Sequence, residues 1–407
     1  MGACYACGMN WLFFAKQHLR TAAIGVIGLA IMVGVYVVWI RNPNQPQKTT
    51  QTSETIATSS TRAELAEDVV PLQIPLATTT HERADFERAL RLVKTFPELR
   101  TLYEAWIDRI GANGIIDTLQ RVDPQCHDVA HDLGRLIFTR TQSVGDALRA
   151  CDSACNSGCM HGVLMEFFTK TPKNPEDDHM TLAEVKEKIG TVCGNTAQAG
   201  NPIMAKTYKQ GDCVHGVGHA IMFLSGYKIP KAMAYCEAFD SPVLKYYCAT
   251  GAYMEYVTTH DAADTQAHPD DPFFPCDAAR YPAACFRYKM VHVLPRWYHA
   301  GKTLEELEAK CLSLKNQYQV GCFHGIGNGH LVYVASQRAT LARICQAGSR
   351  DDMYACTEGL IERMGRYLPD LAKAQCETVT GWQQDLCKTD VQHELYDLTK
   401  PFDLYVP

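Results

Sequence analysis

Six of the fifteen histidines in this 407-residue chain have the types and spacing to do chemistry. In "DCVHGVGHAIMF", residues 212–223, His215 and His219 stand four apart, and "CHDVAHDLG" sets His127 and His131 at the same spacing. Residues four apart share one face of a helix, so each pair offers two imidazoles to a single point. Imidazole suits zinc, copper, iron or nickel. His161 in "GCMHGVLMEFF" and His324 in "GCFHGIGNGHL" repeat the Cys-x-His-Gly pattern of Cys213–Gly216 and offer further rings. The candidate metal ligands are His127, His131, His161, His215, His219 and His324. Zinc is expected ahead of iron or copper, because nothing in the pattern demands redox chemistry.

Glu166, Glu255 and Glu362 recur at helical positions after aligned cysteines and are the candidate acid/base residues, although glutamates at repeat spacing also serve as caps or solvated positions. Met160, Met165 and Met254 would suit copper(I) by softness, but methionine at apolar helix positions reads as core. Several chemistries are excluded. "HGVGH" lacks the glutamate that makes HExxH a zinc-peptidase motif. There is no CxxCH for covalent haem, no Walker A loop and no G-x-S-x-G elbow.

The elements that must position these side chains form a repeat. Cys213, Cys248, Cys285, Cys322, Cys356 and Cys387 follow one another at intervals of 31 to 37 residues, and Cys159 precedes them across a longer insertion. A period in the thirties is the length of a helix–turn–helix unit. It is similar to that of tetratricopeptide-type hairpins, but their W-x2-L-G signature is missing, so the likeness is one of architecture only. A glycine usually stands three residues after the cysteine: Gly162, Gly216, Gly251, Gly325 and Gly359. Two residues after the cysteine stand His161, His215 and His324, but Thr250, Arg287, Glu358 and Thr389 elsewhere. A purely structural histidine should recur in every unit; this uneven distribution favours a site. The competing reading makes each histidine a helix-start contact and each glycine a place where helices approach closely.

Eighteen cysteines are far more than a cytosolic chain of this length uses. Upstream partners give the pairs Cys236–Cys248, Cys276–Cys285, Cys311–Cys322, Cys345–Cys356 and Cys376–Cys387, at separations of 9 to 12 residues. Within one helix, residues eleven apart lie about 16 Å apart, beyond the reach of a disulfide. The chain must turn between them, so each bridge staples a hairpin at its neck. Cys193 and Cys213 would do the same around a longer insertion. Cys126, Cys151, Cys155 and Cys159 allow three pairings, among which the sequence does not choose. Cys4 and Cys7 form a CxxC without a second pair and carry only a weak metal signal.

A single uncharged apolar run, residues 21–40, is long enough to cross a bilayer and lacks a small-residue cleavage site. It is expected to be a single-pass anchor embedded in lipid. Residues 1–20 then form a short cytoplasmic tail, 41–80 a flexible stalk rich in Thr, Ser, Gln and Pro, and 81–400 the folded domain. Because sixteen cysteines follow the span, the domain is expected outside the cytoplasm. A net charge of −6 without a basic block excludes nucleic acid as a partner. "ADFERALRLVKTF" and "LAEVKEKIG" have helical periodicity, and Thr303 followed by Glu306 reads as a capping box. The expected fold is all-α: disulfide-stapled helix hairpins forming an α-solenoid, which must curve toward a toroid if His324 is to reach the other rings. Two functions fit this fold. One is a histidine-rich metal centre, holding an ion or doing hydrolytic or redox chemistry with it. The other is a non-enzymatic repeat scaffold that binds a protein, peptide or glycan on its concave face.

Overall fold

A computed structural model describes residues 80–123, 126–170, 180–194 and 209–393, with Tyr396, Leu398 and Tyr405. The expected anchor at 21–40, the stalk up to residue 79, and Cys4 and Cys7 lie outside these residues. Among the described residues no helix is long and apolar enough to cross a membrane, and there is no strand.

The described residues open with α1 (Thr80–Leu90), α2 (Phe96–Val122) and α3 (His127–Thr141). The expected continuous helix over "ADFERALRLVKTF" breaks after Leu90. Thr95 accepts from the Glu98 backbone N–H while the Glu98 carboxylate accepts from the Thr95 backbone N–H, and Pro97 stands in the first turn, so a new helix starts there. Next come α4 (Val144–Ala150), a 3-10 turn at Ala154–Ser157, α5 (Gly158–Lys170), α6 (Leu182–Val192) and α7 (Gln210–Leu224). They are followed by α8 (Ile229–Cys236), α9 (Pro242–Ala267), a second 3-10 turn at Cys276–Ala278 and α10 (Pro282–His299). The rest is α11 (Leu304–Leu312), α12 (Gln317–Gly329), α13 (Leu331–Ala335), α14 (Leu341–Ile344), α15 (Arg350–Tyr367), α16 (Pro369–Cys376) and α17 (Trp382–Asp390). The Thr303–Glu306 box starts α11, and the same reciprocal pair starts α6 at Thr181–Glu184 and α15 at Ser349–Asp352. Each such cap contributes about 1 kcal/mol to the start of its helix.

A short helix or turn precedes each long one, and a disulfide joins the end of the first to the early part of the second. This is the placement of Cys193–Cys213, Cys236–Cys248, Cys276–Cys285, Cys311–Cys322, Cys345–Cys356 and Cys376–Cys387, with Cα atoms 5.3 to 5.6 Å apart. Of the three arrangements open to the remaining four cysteines, the structure has Cys126–Cys155 and Cys151–Cys159.

The long helices pack in chain order: α3 on α5, α5 on α7, α7 on α9, α9 on α10, α10 on α12, α12 on α15 and α15 on α17. Leu133 and Ile137 of α3, Val163 and Leu164 of α5, and Val217 and Ile221 of α7 are buried between them. Burying a side chain of this size is worth roughly 1.5–3 kcal/mol. Two contacts join helices that are not neighbours in this order. Arg366 of α15 reaches Asp212 of α7 at 3.2 Å, and Arg287 of α10 reaches Glu362 of α15 at 2.7 Å.

Candidate metal centre

Five of the six candidate histidines meet. On α3, Nε2 of His131 lies 3.1 Å from Nε2 of His127; on α7, Nε2 of His219 lies 3.2 Å from Nε2 of His215. The i,i+4 spacing does this by itself, since neither pair needs more than one helical turn. The two pairs face each other, with ring centroids 4.9 Å apart for His131 and His219 and 5.6 Å for His127 and His219. His161 of α5 fills the space between, 5.0 Å from His127 and 5.4 Å from His219. It fits because position 216 on α7 is glycine: a Cβ there would lie 2.6 Å from the His161 ring. One ring nitrogen from each of His127, His131, His161 and His219 lies within 4.8 Å of all the others. His215 stands beside this group of four.

The partners on the outer side decide which nitrogen faces in. Nδ1 of His127 lies 3.2 Å from the carbonyl oxygens of Cys155 and Asn156, which only accept, so this nitrogen carries the proton. Nδ1 of His219 lies 3.1 Å from the Glu255 carboxylate, which also takes a hydrogen bond from the Tyr227 hydroxyl at 3.0 Å. Nδ1 of His215 is 2.8 Å from the Thr250 hydroxyl; that hydroxyl gives its one proton to the Tyr247 carbonyl, so His215 must be the donor. All three rings therefore turn an Nε2 lone pair inward. A carboxylate or carbonyl behind the ring is how proteins orient metal-binding imidazoles.

The site is also dry. His161, His215 and His219 are at most 1% exposed. Burial lowers the pKa of His127 to about 3, with the His219 charge adding to the effect. Burial likewise lowers His131, His161 and His215 well below the ordinary value, and mutual repulsion among the rings deepens the shift. At neutral pH these rings are uncharged. Neither nitrogen of His161 completes a hydrogen bond, and its polar approach to the Asp212 backbone is only weak. Such an orphaned buried group costs about 1–3 kcal/mol unless something takes the lone pair. Burial pushes Glu255 upward, but the bonds from His219 and Tyr227 outweigh it and the carboxylate ends below its usual range. Burial raises Asp128 to about 6, offset in part by His219.

His324 shares no ring contact with these five. Its Nε2 lies 3.2 Å from Glu362, which pairs with Arg287, and its ring packs 5.1 Å from Tyr405, whose hydroxyl bonds Glu358. The three glutamates have separate places. Glu255 holds His219, Glu362 is in the ion pair with Arg287, and Glu166 is half-buried on α5. Met160 and Met165 are core residues, and the Met165 sulfur accepts from Arg135 at 3.6 Å. Tyr396 carried no signal in the sequence, yet its ring stacks on His215 at 4.5 Å and its hydroxyl lies 3.2 Å from Nε2 of that residue. It belongs to no repeat unit, and 181 residues separate the two.

Compared with known proteins, the chain matches no family model, no curated protein and no solved structure. What it does must be read from the site.

Proposed function

We propose that this chain is a membrane-anchored, extracytoplasmic helical-repeat protein whose buried histidines His127, His131, His161 and His219 hold one divalent metal ion, zinc by preference. The observation that carries the reading is the inward lone pair fixed by an outer partner. Nε2 of His127 and Nε2 of His219 each turn a lone pair into the space they share with His131 and His161, where a cation would take both. Bonds of 2.0–2.1 Å to the two nitrogens of His127 and His131, 3.1 Å apart, subtend about 100° at an ion, close to tetrahedral. The widest of the four closes by about 1.5 Å to reach a tetrahedral spacing near 3.3 Å. Rotation of the imidazole side chains is enough to make this closure.

The donor set shapes the chemistry. Every cysteine among the described residues is in a disulfide, so no thiolate is there to bind copper(I) or an iron–sulfur cluster. Four imidazoles fill a tetrahedral zinc, whereas hydrolytic zinc keeps a fourth position open for water. Holding or sensing the ion is therefore favoured over hydrolysis. Eight disulfides support an oxidising compartment, and the apolar run at 21–40 supports the anchor. The array is read as curving back on itself, which the Asp212–Arg366 contact between α7 and α15 supports.

The test is elemental analysis of the purified full-length chain. One equivalent of zinc should be present, removable by a strong chelator and restored on adding zinc back. Replacing His219 by Ala should abolish binding while helix content stays unchanged. A wild-type chain that takes up no ion would leave the cluster a structural feature of the packing.

A further inference from the structure

The four-histidine reading leaves a fifth imidazole to explain. Nε2 of His215 lies as close to His219 as ligands of one ion do, and its lone pair points inward. That lone pair is nevertheless taken. With Nδ1 of His215 donating to Thr250, Nε2 can only accept, and the Tyr396 hydroxyl 3.2 Å away is its donor. The Tyr396 oxygen accepts in turn from the Tyr288 hydroxyl at 3.0 Å. Every group in this chain has a partner without the ion.

The seat for Tyr396 is built into α7. Gly211 lies directly against its backbone, since a Cβ there would be 2.1 Å from the Tyr396 carbonyl oxygen. Tyr247 packs edge-on at 5.3 Å, and the Arg287 guanidinium lies 5.5 Å from the ring centroid. Only 7% of Tyr396 is exposed. A tyrosine this enclosed, brought back from far along the chain to one imidazole nitrogen, has a position to hold.

We propose that Tyr396 is a positioning residue that sets the coordination number of the metal centre: its hydroxyl holds His215 out of the ligand set, so the ion is bound by four nitrogens and not five. This rests on the four-histidine reading above. The accounting of lone pairs then closes, four on the ion and the fifth on the Tyr396 O–H.

Cobalt(II) loaded into the full-length chain reads this out, because four-coordinate cobalt absorbs visible light several-fold more strongly than five-coordinate cobalt. Wild type should give the intense band at one equivalent. Tyr396→Phe frees His215, and the band should weaken several-fold with cobalt still bound. Adding His215→Ala to Tyr396→Phe should restore the intense band, which a general loss of structure would not do. His215→Ala alone should leave stoichiometry and spectrum as in wild type, an arm that does not depend on how Tyr396→Phe folds. An unchanged band in Tyr396→Phe, a weak band in wild type, or loss of cobalt in His215→Ala would each overturn the role of Tyr396 while leaving the metal centre standing. A wild-type chain that binds no cobalt and no zinc would overturn both.

Discussion

The carbonyl oxygen of His131 touches Gly162: a Cβ at position 162 would lie 1.9 Å from it. The same contact recurs where the His215 carbonyl meets Gly251 and where the His324 carbonyl meets Gly359, at 1.8 and 2.2 Å. Glycine at these crossings lets two helix backbones meet, and each crossing carries a histidine on one helix. What distinguishes the three is the residue two places after the facing cysteine: His161 in the first, Thr250 in the second and Glu358 in the third. The first adds an imidazole to the cluster, the second fixes the tautomer of His215, and the third accepts a hydrogen bond from the Tyr405 hydroxyl.

Gly162→Ala should therefore destabilise the chain by about 1–3 kcal/mol, since helix backbones must move apart. It should also weaken metal binding, because α3 and α5 carry three of the four ligands. Chemical denaturation and metal titration check the two effects. Gly190→Ala on α6, where a Cβ meets nothing within 4 Å, is the control; it should be neutral or stabilise by up to about 1 kcal/mol.

Glu255→Gln keeps the shape behind His219 but removes the charge. Losing such a carboxylate should lower zinc affinity by about 10–100-fold, as read by competition with a zinc chelator of known affinity. The tyrosine on the other carboxylate oxygen gives a graded comparison: Tyr227→Phe should weaken binding less. Equal zinc affinity in wild type and Glu255→Gln would show that His219 is not a ligand.

The metal-free chain should lose stability in mild acid. His127 titrates near 3 when folded, against an ordinary value of 6.5, so between those values the unfolded chain binds the extra proton. Stability from this group is complete above about pH 6.5 and falls as the pH drops toward 3, by about 1.4 kcal/mol per pH unit. His131, His161 and His215 shift in the same direction and steepen the loss. Unfolding free energies from denaturant titrations at pH 8, 6.5 and 5 should fall by about 0.4 kcal/mol between the first two for each such histidine, and by at least about 2 kcal/mol in all at the third. A flat profile down to pH 5 would mean that these rings are solvated.

Breaking Cys345–Cys356 by a double Cys→Ser change should cost about 2–4 kcal/mol. Stacked repeats share stability mainly with their neighbours, so hydrogen exchange should rise in α14 to α16 and little in α3 to α7.

Local spacing made much of this legible in the sequence. The i,i+4 pairs and the hairpin-neck cysteines depend on contacts within a turn or a hairpin, which a linear pattern can show. His161 was legible through its repeat position, although the Gly216 gap that admits its ring was not. What escaped depends on chain segments distant in sequence. His324 obeys the same local rule as His215, yet its surroundings come from α10 and α15, which supply Arg287 and Glu362. Tyr396 reaches His215 from outside the repeat altogether, and the pairing of Cys126 with Cys155 spans 29 residues. The break after Leu90 was written locally, in Thr95, Pro97 and Glu98, and the apolar periodicity running across it masked the signal.

X-ray absorption at the zinc edge of the zinc-loaded full-length chain tests the central claim most directly. The account predicts a first shell of four nitrogens at 2.0–2.1 Å, with the outer-shell scattering of imidazole rings and no sulfur. No bound zinc, a sulfur scatterer near 2.3 Å, or a shell dominated by carboxylate and water oxygen without imidazole would contradict it.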